Sequence, residues 1–417
     1  MKKKVIIAHP SKQHSFYTAT AVKKEGYLFR YITTVYDREG SLTYKLKSFL
    51  GKKDMKKAST HKCEFLEDNE IIQYYEIDYL ISLALNRVPR LSNLREIHRQ
   101  YVANKFGRKV AKYAIKNNVN AVIMYDTTAT ACFKYLKKNA PQIKRILDVS
   151  IVSKPFMKNT FEKNMKLTGD NSLFKEHIYM WNNKHMQNFV DEIIDSNYFI
   201  VPSNIVKESL IYCGAEDKNI KIVPYGVDIN QFTFKNKKSI NKRLKLIYVG
   251  QVTYRKGIHH LLEVISKLNA DEVEVELVGT YSTDSNIYKK YSSYENIKFT
   301  GFVTRDNLST KYQQADVFVF PTLGEGYGLV VLEAMSCGLP VICSDYAGGN
   351  DAVVDGENGF VFPAGNEHEL QNKIEWFIKN RQILSQMSKK ANESVQNLTW
   401  FNYYDSIGNT IREILED

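Results

Sequence analysis

Residues 324–345 read GEGYGLVVLEAMSCGLPVICSD, with two carboxylates, Glu325 among glycines and Glu333 in an apolar run, and seven residues between them. Just upstream, Val317 to Phe320 are β-branched and aromatic without polar alternation, the look of a strand buried on both faces. Pro321 ends that strand. Gly324, Gly326 and Gly328 then make a loop that can reach backbone angles other residues avoid. From Leu329 to Cys337 the apolar spacing is helical, and Gly338 with Pro340 stops it. Val341 to Cys343 is a second short strand. Strand, glycine loop, helix and strand in succession predict an α/β fold with a parallel sheet wrapped by helices.

In such a unit the helix N-terminus presents free N–H groups and a positive dipole end above the strand, a seat for phosphate. Glu325 falls on the loop side of that seat and Glu333 more than a turn into the helix. The order carboxylate, phosphate seat, carboxylate matches a nucleoside diphosphate sugar: sugar hydroxyls, pyrophosphate, ribose hydroxyls. Carboxylates accept strong charge-assisted hydrogen bonds from such hydroxyls. Either glutamate alone reads as an ordinary surface acid. Their spacing, the glycines and the apolar neighbours together point to a ligand.

The chain has 417 residues, too many for one ordinary core, so two domains are expected. Hydrophobic residues make up 43% and mean hydropathy is -0.37, and no apolar run reaches the length of a membrane span. The opening MKKKVIIAHP has the lysines of a leader, but its apolar stretch is only Val5 to Ala8 before His9-Pro10, so it reads as a first strand. Five scattered cysteines without a CxxC pair fit free thiols in a reducing cytoplasm and give no zinc pattern. The histidines lack ligand spacing, so no metal is expected.

Charge divides the chain. Residues 1–200 hold 35 Lys plus Arg and 19 Asp plus Glu, a net of +16, while residues 201–417 hold 23 and 27, a net of −4. This step predicts a boundary near residue 200: a first domain over 1–198, a second over 199–385, and a terminal helical stretch, about 386–417, packing back on the first. The basic half calls for an anionic partner: nucleic acid, a membrane surface or an anionic substrate. No stacking motif of the kind single-strand binders use is interleaved with its basic residues, which argues against nucleic acid. The densest cluster, YKLKSFLGKKDMKK over 44–57, sets Lys52, Lys53, Lys56 and Lys57 beside Phe49 and Leu50. It suits the anionic inner face of a membrane, or a solvated loop.

Further motifs stand at strand ends in the second half. In VGQVTYRKG (249–257) a strand ends at Gly250, and Arg255 and Lys256 precede a helix, as a diphosphate site requires. VPYGVD (223–228) is a tight turn after a strand. IKFTGFV (297–303) ends its strand at Gly301; backbone groups up to Val303 would hold the edge of a base, or the glycine equally well only ends the strand.

These residues resemble the family 4 retaining glycosyltransferases, on VPSN (201–204), VPYGVD, VGQVTYRKG, FTGFV, DGENGFVF (355–362) and above all the 324–345 stretch. The resemblance implies the GT-B fold, with two Rossmann-like domains facing across a cleft, acceptor side first and donor side second. It implies no cofactor or metal, a nucleotide-sugar donor with UDP-sugar preferred, and a glycan or lipid-linked acceptor for cell-envelope polysaccharide. A soluble or protein acceptor, or an epimerase of the same fold, are the alternatives. Glu325 would contact the donor sugar near the reacting carbon and Glu333 the ribose. Arg255 and Lys256 would neutralise the departing diphosphate, with the loop Gly326, Tyr327, Gly328 and the backbone of Leu329 around it. The first half departs from the pattern: HPSKQHS (9–15) replaces the usual glycine-rich loop, and ILDVSIVSK (146–154) has Asp148 and no histidine. His14 and Asp148 are the candidates to stand in the cleft there, with His9 as a third.

Overall fold

In the computed structural model, residues 2–12, 14–47, 59–85, 92–177, 181, 183–235 and 242–417 are described. Short β-branched and aromatic runs form the central strands, and these are buried on both faces, as helix-covered parallel strands are. Among the described residues thirteen strands make two all-parallel sheets. The first joins β1 (Val5–Ala8), β2 (Leu28–Thr33), β3 (Ile71–Gln73), β4 (Ala121–Tyr125), β5 (Lys144–Asp148), β6 (Tyr198–Val201) and β7 (Ile220–Ile222) in the order β3-β2-β1-β4-β5-β6-β7. The second joins β8 (Leu244–Val249), β9 (Val273–Val278), β10 (Ile297–Gly301), β11 (Val317–Phe320), β12 (Val341–Ser344) and β13 (Gly359–Phe362) in the order β10-β9-β8-β11-β12-β13. Successive side chains of a strand point to opposite faces. Val5 and Ile7 accordingly enter one core, and Ile6 and Ala8 another.

Both sheets are doubly wound, and each has a switch point where the strand order reverses: between β1 and β4 in the first, between β8 and β11 in the second. Loops leaving strands at a switch point diverge and open a crevice, the usual ligand seat of such sheets.

Two expected boundaries move. β6 and β7, expected in the second domain, extend the first sheet, β6 pairing with β5 as Ile146↔Tyr198 and Leu147↔Phe199. The crossing therefore falls after Ile222. The charge step could not reveal this, because Lys207, Lys218 and Lys221 balance Glu208, Glu216 and Asp217 across the segment in question. The terminal stretch also divides. The helix Leu384–Val395 stays on the second domain, where Asn392 Nδ2 donates to Ser336 O at 2.7 Å and Ser388 Oγ to Gly338 O. Only the helix Trp400–Glu416 lies on the first domain, against the helix Ser15–Lys24, with Tyr403 OH 3.1 Å from Thr18 Oγ1.

Among the described residues no helix is long and apolar enough to cross a membrane. The lysine cluster of Lys52, Lys53, Lys56 and Lys57, with Phe49 and Leu50, lies outside the described residues.

Candidate active site

The second switch point gathers the charged residues of both its loops. The loop after β8 carries Arg255 and Lys256; the loop after β11 carries Glu325. The two loops are tied by Leu323 N–H donating to Arg255 O at 2.8 Å. Arg255 Nη1 donates to Gly324 O at 2.6 Å and lies 3.3 Å from Glu325 Oε2, the oxygen that also pairs with Lys256 Nζ. Burial alone would raise the Glu325 carboxyl, but the attraction of Lys256 and Arg255 prevails and holds it below the ordinary range. Burial pushes Lys256 the other way, below the usual lysine range. Two cations share one carboxylate, so the trio keeps one positive charge.

Gly328 ends the loop at φ 74°, a left-handed conformation that costs glycine nothing, and the helix Leu329–Ser336 begins there. Glu333 lies five residues into it. Its surroundings are drier and less compensated: Tyr312 OH donates to Oε2 at 3.3 Å, and the Arg305 guanidinium stands 3.9 Å from Oε1. Burial raises its carboxyl above the usual value. The two glutamates of the motif thus sit in opposite electrostatic environments.

A cavity of about 290 Å³ separates Glu333, Leu329 and Arg305 from His14, Tyr17, Tyr225 and Trp400. On that opposite face His14 Nε2 is 2.8 Å from Asp148 Oδ1, and Thr18 Oγ1 donates to Asp148 Oδ2 at 3.3 Å. Tyr225 OH lies 3.3 Å from both ring nitrogens of His14. The structure therefore brings His14 and Asp148 together, 134 residues apart in sequence, and turns His14 toward the donor-side helix. His9 is elsewhere: it packs edge-on to the far side chain they share, Tyr125, at 5.2 Å, while His14 meets that ring at 5.0 Å. Its Nδ1 accepts from Ser11 N–H at 2.9 Å, and burial lowers its pKa to about 4.

The domains touch at Gly326. A Cβ built there would lie 1.7 Å from Ser150 O, so only glycine permits this approach. Ser203 Oγ donates to Gly326 O at 2.7 Å from the same side. Ser150 lies two residues past the end of β5 at Asp148. The residues beyond turn out of the sheet, and Ser150 N–H and Oγ both donate to Asp126 Oδ1, each at 3.1 Å.

Other expected donor contacts fall at different distances from this centre. Tyr327 is buried, its ring edge-on to Tyr225 at 5.4 Å. Gly250 donates its N–H to Val278 O at 2.9 Å and is engaged within the sheet. Val303 is half-buried against the core and does not line the Glu333 cavity; Arg305, two residues on, does. Arg305, Tyr17, Tyr225 and Trp400 escaped the sequence reading as site residues. For Tyr225 the VPYGVD turn was the available signal. Trp400, stacked on Tyr17 at 3.8 Å, needed the chain crossing to be placed.

The family model for group 1 glycosyl transferases matches residues 230–394, all of β8 to β13 and the helices between them. The second domain is thus similar to the group 1 glycosyl transferases. Over 215 residues the chain is 30% identical to the sulfoquinovosyl transferase of Arabidopsis thaliana, covering 48% of this chain and 41% of that protein. Over 208 residues it is 31% identical to a capsular polysaccharide biosynthesis glycosyltransferase of Staphylococcus aureus, covering 48% and 54%. The matched stretch thus spans about half the length of these relatives. Among solved structures, sucrose-phosphate synthase from Thermosynechococcus elongatus superposes with a TM-score of 0.68 at 16% identity, covering 99% of each chain. The Anabaena protein HepE in complex with UDP does so with 0.61 at 16%, again over 99% of each. These likenesses extend to the first domain and show the two-domain GT-B fold of the glycosyltransferase neighbours.

Proposed function

We propose that this chain is a retaining, metal-independent glycosyltransferase that takes a sugar from a UDP-sugar. The observation that carries the reading is the trio Arg255, Lys256 and Glu325 at the second switch point, with Glu333 one helix turn beyond and His14–Asp148 across the cleft. The donor diphosphate would lie against Arg255, Lys256 and the N–H groups of the helix Leu329–Ser336. As the bond from the anomeric carbon to the diphosphate breaks, negative charge grows on the leaving oxygens. Cations already fixed beside them stabilise that change more than the ground state. The acceptor hydroxyl attacks from the same face and passes its proton to a leaving phosphate oxygen. Glu325 binds the sugar hydroxyls, Glu333 the ribose hydroxyls, and His14, held by Asp148, faces the sugar from the first domain. The UDP complex of the Anabaena neighbour and the sugar-transferring relatives support this choice of donor.

The acceptor would be a glycan or a lipid-linked precursor reached at an anionic membrane. Support comes from the +16 of residues 1–200 and from one exposed face. On the helices Glu76–Leu85 and Ser92–Lys116, the side chains Ile77, Ile81, Leu94, Ile97 and Tyr101 are exposed, and the second helix carries seven Lys or Arg against one Glu. Apolar side chains amid cations suit an anionic lipid surface.

The test is turnover of a panel of UDP-sugars in excess EDTA with a membrane extract as acceptor, the product anomer read by NMR. Transfer with the donor's configuration kept supports the reading. Inverted product, dependence on added magnesium or manganese, or turnover of the UDP-sugar to an epimer without acceptor would each contradict it.

A further inference from the structure

The loop that carries Arg255 and Lys256 belongs to the second domain but is held from the first. In sequence the two cations stand between Tyr254 and His260, and a first-domain side chain meets each of those neighbours. Glu176, at the end of the helix Ser172–Glu176, accepts from Tyr254 N–H through Oε2 at 2.8 Å. Asn164, on the helix Lys154–Thr168, meets His260 Nε2 through its Nδ2 at 3.0 Å. We propose that Glu176 is a positioning residue that sets Arg255 and Lys256 from across the domain boundary. The proposal rests on the donor reading above and adds a first-domain residue to that site.

The surrounding contacts show that this support is built in. Asn164 and His260 are both buried. His260 Nδ1 lies 2.9 Å from Glu367 Oε1, and a carboxylate there favours the proton on Nδ1, which leaves Nε2 to accept from the Asn164 amide. Gly365, at φ 78°, lets Asn164 approach: a Cβ there would lie 2.5 Å from Nδ2. The partner loop is anchored on the same side. Leu323, whose N–H donates to Arg255 O, is buried in the first domain's core with Val152, Met157 and Phe161. Gly324, whose carbonyl accepts from Arg255 Nη1, lies against Met157.

Charge alone does not give this loop its shape. Arg255 and Lys256 repel each other and share one oxygen of Glu325. Repulsion between adjacent cations favours splaying them, whereas a diphosphate needs both on one side. A hydrogen bond from the backbone at Tyr254 to a carboxylate is of the stronger, charge-assisted kind and resists that splaying just before Arg255. The diphosphate seat is then complete only with the two domains together. The leaving group meets its cations in the same state in which the sugar meets His14, so binding assembles the site that reacts.

Glu176→Ala and Glu176→Gln in the full chain separate this role from a merely structural one. Gln keeps an oxygen to accept from Tyr254 N–H; Ala does not. UDP and UMP are titrated by calorimetry into wild type and both variants, and melting temperatures are recorded beside them. Wild type should favour UDP. Glu176→Ala should cut that advantage about tenfold, the scale of a charged hydrogen bond. UMP affinity and melting temperature should stay nearly unchanged, because Glu176 is partly exposed and the loss falls on the diphosphate loop. Glu176→Gln should restore most of the advantage. A UDP advantage left intact by Glu176→Ala would overturn this proposal alone, and so would a loss as large in Glu176→Gln as in Glu176→Ala. Equal UDP and UMP affinities in wild type would sink the donor reading, and this proposal with it.

Discussion

The two faces of the cleft are built differently. On the donor face a carboxylate, Glu325, is neutralised by two cations from the neighbouring loop of the same domain. On the acceptor face His14 is instead held by Asp148 and packed against the rings of Tyr125 and Tyr225. The donor face is a charged site made locally. The acceptor face is a hydrogen-bonded, aromatic one assembled from residues far apart in the chain. A site that must stabilise charge separation needs the first kind; one that positions a neutral sugar can use the second.

The largest effect should follow from breaking the donor trio. Glu325→Gln should lower turnover by roughly 10²–10³, the scale of removing a group aimed at transition-state charge, while donor affinity falls only a few-fold. Steady-state kinetics with separate donor-binding measurements decides it; near-normal turnover would refute the assigned role.

Acid sensitivity should distinguish the faces next. Unfolded His9 takes a proton near pH 6.5, folded His9 only near 4. Between those values the unfolded state binds more protons, so stability is full above 6.5 and is lost as pH falls toward 4. The loss should reach about 3 kcal/mol at one pKa unit per 1.36 kcal/mol. His9→Asn, which can still accept from Ser11 N–H, should flatten this part of the stability curve. Glu325, with its lowered pKa, contributes its stability in full above its unfolded value near 4.5 and loses it only as pH falls below that. Identical curves for wild type and His9→Asn over pH 4–6.5 would count against a buried neutral imidazole.

The contact between the faces is tested by Gly326→Ala. The added carbon would meet Ser150 O and hold the domains apart. Activity should fall by about 10², as for reacting groups misplaced by an ångström, with little change in melting temperature. Smallest is Glu333→Gln, which should weaken donor binding about tenfold, the scale of a charged hydrogen bond, and leave turnover at saturation nearly intact. A turnover loss as large as for Glu325→Gln would erase the distinction between the two glutamates.

The same contrast explains what could be read before the structure. Strand, loop and helix around Glu325 and Glu333 occupy a single stretch of 22 residues, so local periodicity and glycine placement located them. Arg255 and Lys256 were legible because their own strand-turn-helix repeats the pattern. On the other face, Tyr225 is 211 residues from His14, and nothing local says that they meet. The outer strands β6 and β7 were misassigned because strand pairing is a long-range property and their segment carries no net charge. The terminal helix was half right: aromatic residues around Trp400 mark the part that returns, but the crossing at residues 396–399 has no punctuation of its own.

The central claim is that Arg255 and Lys256 form a diphosphate seat beside Glu325. Calorimetric titration of UDP and UMP into wild type and into the double variant Arg255→Gln, Lys256→Gln tests it most directly. UDP should bind wild type at least about tenfold more tightly than UMP, since its second phosphate gains charge-assisted bonds, and that advantage should vanish in the variant. Equal affinities for UDP and UMP in wild type, or a UDP advantage that survives the double substitution, would contradict the account.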